Sequence, residues 1–216
     1  RKGGGMTETL TDIAKRLEHF ETPMWAAEAI LDCELLTPLV IDPCTGTGVL
    51  AEAMRQQGYD VQAQDIHNWG YGPTKLCDWL GMSEKHLPQD REFSVMMNPP
   101  FSLAVEFVEK AFELGARKVL CFQRLAWRES SARRDFWCDN PPNRIYICGS
   151  RATCWRHDIP PDERSSGSTT AHAWFVWERG HPAGTLTDAI YRPQADENQI
   201  DERQIDMFAT PMQEAA

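Results

Sequence analysis

No apolar run in the 216 residues approaches the roughly 18–20 that a membrane-spanning helix needs. No signal-peptide pattern is visible either, so the expectation is a cytoplasmic protein without a membrane. The seven cysteines (33, 44, 77, 121, 138, 148 and 154) form no CxxC pair and no zinc-type spacing. They read as reduced core thiols, not as disulfides or a metal site. Net positive charge is lacking too: the formal charge is −10, which argues against a plain electrostatic nucleic-acid binder. There is no P-loop, because Gly-Lys-Ser/Thr is missing, and no GxGxxG.

What is present suits one globular domain with a tail: 42% of residues are hydrophobic and 25% charged. Residues 1–5 ("RKGGG", before Met6) read as a cloning remnant and are set aside. Residues 6–182 read as the domain and 183–216 as an acidic, weakly ordered tail, polar with few large apolar side chains. Charge is uneven. Residues 117–164 carry ten basic against six acidic side chains, whereas 183–216 carry two arginines against seven acids. The middle of the chain can therefore offer a basic face despite the acidic total; ordinary solvated arginines are the plainer reading.

Along the chain, residues 7–20 read as an amphipathic helix. Thr22-Pro23 has the form of an N-cap followed by proline at the first helical position, opening a helix to about Leu36. "LVID" (39–42) is a short buried strand, "PCTGTG" a loop, and "VLAEAMRQQ" a helix closed by Gly58. Strands follow at 59–65, 93–97 and 117–123, with a helix across 102–115 between the last two. Residues 124–140 read as helical and Arg-rich, and later strands are expected at 144–149 and 171–179. Strands alternating with helices imply an α/β fold with a mostly parallel sheet covered on both faces.

Two stretches carry chemistry. In "VIDPCTGTGVL" a strand ends at Asp42, glycines let backbone approach a ligand, and a helix N-terminus follows with free N–H groups. Some 20 residues on, the next strand ends in Asp65, placed to hydrogen-bond ribose hydroxyls. The pair points to a nucleoside-containing cofactor. The second stretch is "MMNPPF" (96–101), where a buried strand stops in a stiff turn, since proline donates no hydrogen bond and fixes φ.

Together these stretches resemble the class I S-adenosylmethionine-dependent methyltransferases with their Rossmann-like fold, and within them the branch that methylates the amine of adenine. "FETPMWAAEAIL" (20–31) looks like that branch's preceding cofactor segment, "DPCTGTG" like its glycine loop, "CDWL" (77–80) like its segment beside the cofactor adenine, and "NPPF" like its catalytic loop. The likeness covers about 20–125 well, and continues more loosely through "RRDFW", "NRIYICGSR" and "AHAWFVWERG", which look like small bacterial and phage-borne members.

The resemblance implies roles by position. Thr22 and Pro23 would line the methionine end of S-adenosylmethionine. Asp42, Pro43, Cys44, Thr45, Gly46 and Gly48 would shape the amino-acid pocket. Asp65, with Ile66, would take the ribose and Asp78 the adenine amine, and Trp79 would pack on the adenine ring or serve as a core tryptophan. Asn98 would border the cofactor and, with Pro99, Pro100 and Phe101, form the catalytic turn. Two acceptors, the Asn98 side-chain oxygen and the Pro99 carbonyl, would help the amine pyramidalise, and Phe101 would stack on the base. No metal is required.

DNA is the expected substrate, with adenine in RNA as the alternative and a non-catalytic methyltransferase-like binding module as the reading from another class. Glutamine side chains are methylated through a similar turn, though that branch more often has tyrosine where Phe101 stands. Residues 124–170 are the candidate recognition segment. Arg124, Arg128, Arg133, Arg134, Arg151 and Arg156 would contact phosphates, and Trp127 or Trp155 would wedge at a flipped base. The histidines, His157 and His172 included, read as surface or packing residues. In the tail, Gln204, Ile205, Met207 and Phe208 resemble the short peptide that docks on the bacterial DNA polymerase sliding clamp, so that clamp is an expected partner.

Overall fold

The computed structural model describes residues 9–88, 90–156, 159, 163, 169–182 and 184–193. A short helix α1 (Leu10–Arg16) is closed at its start by a capping box between Thr9 and Asp12. Strand β1 (Phe20–Glu21), helix α2 (Met24–Cys33), β2 (Leu39–Asp42), α3 (Val49–Gln56), β3 (Asp60–Asp65) and β4 (Lys75–Leu76) follow. Then come β5 (Phe93–Met97), α4 (Ala104–Glu113), β6 (Lys118–Arg124), α5 (Arg134–Asp139), β7 (Arg144–Cys148), β8 (Trp155–Arg156), β9 (His172–Glu178) and β10 (Leu186–Ile190).

Eight strands form one sheet in the order β10-β7-β9-β6-β5-β2-β3-β4. All pairings are parallel except those of β9, which runs antiparallel to both β6 and β7. Period-2 alternation splits the core across the two faces. Leu39, Ile41, Val95, Met97, Val119, Cys121, Phe175 and Trp177 pack toward α4. Val40, Met96, Leu120, Phe122, Trp174 and Val176 pack toward α2 and α3. The expected α/β fold is therefore the observed one, and the strand at 93–97 has the expected bounds.

Several expectations change. α2 starts one residue late, with Pro23 at its N-cap position and hence no side-chain cap, while the Thr22 hydroxyl accepts from Asn98. α2 ends at Cys33, short of Leu36, since Glu34 turns inward to a buried ionic cluster. Lys118 Nζ lies 2.8 Å from Glu34, Tyr146 donates to it at 2.9 Å, and Arg144 bridges Glu34 and Glu178. The Arg-rich stretch, expected to be helical, is made of two 3-10 turns (125–129 and 131–133) and the six-residue α5. Its aromatic residues turn inward, with the Trp127 ring meeting Trp137 at 4.7 Å and Phe175 at 5.2 Å. Leu186–Ile190, expected in the weakly ordered tail, is an edge strand parallel to β7. Among the described residues no helix is long and apolar enough to cross a membrane.

Candidate active site

The carboxyl ends of β2, β3, β4 and β5 open into one cleft of about 900 Å³, counting the part open to solvent. This is where parallel sheets place ligand sites. The glycine loop after β2 forms one wall. Gly46 has φ +56° and Gly48 φ +93°, backbone that side chains rarely adopt. A Cβ on Gly46 would lie 2.4 Å from the His19 ring, and one on Gly48 2.5 Å from Tyr71. The loop is thus glycine-bound by conformation and by close packing.

Two acids underlie this wall. Asp65 accepts from the Gly46 N–H at 2.9 Å, the His67 N–H at 2.9 Å and the Trp69 indole at 3.3 Å, so it fastens the loop as well as facing the cleft. Asp42 is fully buried. Its Oδ1 accepts from the Cys44 N–H, and its Oδ2 has no hydrogen-bond partner. Burial raises the Asp42 carboxyl to about 7, and neighbouring Asp65 adds to the rise. Asp65 is itself raised, again by burial first. Burial also pushes the Cys44 thiol well up, so it fills space as a neutral group and not as a nucleophile.

The second wall is the turn after β5. The Asn98 amide nitrogen donates at 2.9 Å to the Phe20 carbonyl and at 2.9 Å to Thr22 Oγ1. A carbonyl can only accept, so the NH₂ group must face Phe20, and both its protons are engaged. Asn98 Oδ1 is left as an acceptor. The Pro99 carbonyl accepts from the buried Gln123 amide at 3.0 Å, which holds its direction and leaves one lone pair. Phe101 packs on Phe20, with ring centroids 5.3 Å apart.

Segment 17–22 bridges the two walls. Glu18, with φ +50°, accepts from the Ser102 N–H at 2.9 Å, and Thr47 donates to Glu21 at 3.3 Å. β1 within it pairs antiparallel with β8, in the candidate recognition segment 124–170.

The cleft brings together Thr22, Pro43, Cys44, Thr45, Gly46, Asp65, Ile66, Asp78, Trp79, Asn98 and Pro100. Pro23, Asp42, Gly48, Pro99 and Phe101 are not at its wall. Trp79 is buried to 2% exposure and donates to the Phe107 carbonyl at 3.2 Å, while Ile66 is 62% exposed. Arg124, Arg128, Arg134 and Arg151 are exposed, and Arg133 donates to the Trp127 carbonyl at 3.0 Å. Trp127 is 5% exposed within the aromatic cluster, so it is a packing residue and not a wedge. Buried His172 stacks on Phe122 at 5.2 Å and is pushed down to about 4 by burial, so it is neutral packing as expected. Gln204, Ile205, Met207 and Phe208, like His157, lie outside the described residues.

Sequence reasoning missed His19, Trp69, Tyr71 and Gln123. For Trp69 and Tyr71 the signal was there in "HNWGYG", aromatics among glycines directly after Asp65. For His19 and Gln123 no local pattern exists, because their partners lie across the fold.

No protein-family profile and no curated protein sequence matches the chain. Solved structures do. The methyltransferase subunit of a type I restriction-modification system from Streptococcus thermophilus is similar at 11% identity and a TM-score of 0.55, over 82% of this chain and 50% of that one. A protein described as a predicted O-methyltransferase from Agrobacterium tumefaciens is similar at 14% identity and a TM-score of 0.53, over 86% of this chain and 94% of that one. Likeness at these identities carries architecture alone: the chain has the Rossmann-like fold of the class I methyltransferases.

Proposed function

We propose that the protein transfers a methyl group from S-adenosylmethionine to the exocyclic amine of adenine in DNA. The carrying observation is the locked Asn98 amide, whose Oδ1 accepts from no described residue, at a cleft lined by Asp65 with Asp42 buried behind it. Cofactor fit rests on charge and shape. Asp65 lines the cleft and Asp42 lies buried behind it, burial raises both carboxyls, and Asp42 Oδ2 lacks a donor. Two acids on this side of the cleft, one at its wall and one behind, favour a cationic ligand, and S-adenosylmethionine carries an ammonium and a sulfonium. The glycine loop leaves room for it, and exposed Ile66 offers an apolar face. When bound, the cofactor supplies a methyl on a positively charged sulfur, which a nitrogen lone pair can displace.

The chain's own residues make that nitrogen reactive. An adenine amine is planar because its lone pair is delocalised into the ring. Asn98 Oδ1 and the free lone pair of the Pro99 carbonyl can accept its two N–H groups and favour the pyramidal form. Both acceptors are fixed in advance, one by Phe20 and Thr22, the other by Gln123, so little reorganisation is needed. The exposed arginines of 124–151 supply phosphate contacts. Incubation with labelled S-adenosylmethionine and plasmid DNA tests the reading. The expected result is labelled DNA with wild type and none with Asn98→Ala; equal incorporation by Asn98→Ala overturns it.

The tail is proposed to dock on the DNA polymerase sliding clamp through Gln204, Ile205, Met207 and Phe208. Tethering to the clamp would concentrate an acidic protein at DNA. Pull-down with purified clamp should recover wild type and not the Gln204→Ala/Phe208→Ala variant. Equal recovery removes the idea.

A further inference from the structure

The aromatic face on which a base would stack is already occupied. The Arg124 guanidinium carbon lies over the Phe101 ring, 4.1 Å from its centroid, while Phe20 packs against the same ring at 5.3 Å with a 32° tilt. A base can reach Phe101 only by taking the place of one of these. Phe20 is not free to leave, because its backbone pairs with Arg156 in β8 and its carbonyl holds Asn98. Arg124 differs: its side chain is exposed, and it makes no ion pair or side-chain hydrogen bond with any described residue. Its root is fixed all the same. Arg124 ends β6, directly after the Gln123 that grips Pro99, and sits opposite His172 in the sheet. A planar cation thus lies where a planar base would lie, held only by the ring beneath it.

We propose that Arg124 is a displaceable occupant of the Phe101 face, covering it in the free protein and moving to a backbone phosphate when the target base enters. The proposal rests on the adenine-amine reading above and adds a gate to it. The chemistry is consistent at both ends of the movement. A lone cation over a half-buried ring is a modest contact, no stronger than a nucleobase on the same ring, so a base can displace it. The released guanidinium carries a forked donor set suited to phosphate. Arg124 would then favour adenine that arrives within a DNA strand over free nucleoside, because only a strand offers the phosphate that receives the arginine.

Two readouts test this on the full chain. The first is equilibrium binding of the fluorescent nucleoside 2-aminopurine deoxyriboside to wild type, Arg124→Ala, Arg124→Lys and Arg124→Ala/Phe101→Ala. Uncovering the face should tighten binding several-fold in Arg124→Ala and Arg124→Lys, and the gain should vanish in the double variant. The second is methyl transfer to duplex DNA. Arg124→Ala should raise KM several-fold and lower the slope of log affinity against log salt by about one, whereas Arg124→Lys, which keeps the charge but not the fork, should keep the slope with a smaller rise in KM. Nucleoside binding that is unchanged, weakened or undetectable in Arg124→Ala overturns the gate, even if DNA is methylated normally. Tightened nucleoside binding in a protein that methylates no adenine substrate would discard the adenine-amine reading and leave the gate standing.

Discussion

Asn98 illustrates how a single amide acquires a direction. Its nitrogen could rotate to either edge, but Phe20 offers only a carbonyl and Thr22 a hydroxyl at 2.9 Å each, so the oxygen is turned away from both. Thr22→Ala removes one of these anchors. The expected result is a fall in kcat of about tenfold, or ~1.4 kcal/mol, with less change in the cofactor KM, and recovery by Thr22→Ser. Steady-state kinetics on the three proteins check it, and failure of serine to rescue would point to a packing role for the threonine methyl. Asp42 would act on the cofactor through its charge. Burial holds its carboxyl at about 7, so it loses its charge as pH falls through that value. Affinity for a cationic cofactor should therefore weaken from pH 8 to pH 6, and calorimetry at each pH reads this directly. The same raised value makes ionised Asp42 a burden on the unliganded fold: its contribution is favourable at low pH and lost as pH rises through about 7. Asp42→Asn should thus raise the Tm of the unliganded protein at pH 8 by a few degrees and abolish the shift caused by the cofactor.

At the scale of elements, the glycine loop, segment 17–22 and the turn after β5 form one connected unit. Gly48→Ala places a methyl against the Tyr71 ring on backbone at φ +93°. The variant should keep the far-UV spectrum of the sheet yet lose cofactor binding by tenfold or more, as titration would show. The loop and the turn were legible in the sequence because each is local: glycines after a buried strand, prolines after another. Their fastenings were not. Thr22 has the form of a helix cap in the sequence, but its hydroxyl accepts from a residue 76 positions away. The Arg-rich stretch reads as helical in the sequence, but Trp127, Phe136 and Trp137 have a large apolar surface to bury against Phe175 and Trp177, and short turns with one brief helix deliver them there.

For the molecule as a whole, the sheet carries the site at its carboxyl edge and an ionic cluster among α2, β6, β7 and β9. Strands β2 and β5 were plain in the sequence as fully buried apolar runs, whereas β10 ("LTDAI") was not. Its residues are mostly exposed, and only the free edge of β7 makes it a strand. Glu34 anchors the cluster at 3% exposure. Burial alone would raise its carboxyl, but hydrogen bonds from Arg144, Lys118 and Tyr146 hold it below the usual value, and Glu178 is lowered likewise. Both contribute stability above the ordinary glutamate value of 4.5 that is lost as pH falls through their lowered values. Glu34→Ala, which leaves Lys118 and Arg144 short of an acceptor, should lose about 3–5 kcal/mol at pH 7 in urea denaturation, and less near pH 4. The proposal that this fold methylates adenine amines is met most directly by digesting treated nucleic acid to nucleosides. Duplex DNA, single-stranded DNA and total RNA are each incubated with labelled S-adenosylmethionine and the products weighed by mass spectrometry. Labelled methyl on the amine of deoxyadenosine, absent with Asn98→Ala, is the predicted result; label on no nucleoside, from a protein that binds the cofactor, would contradict it.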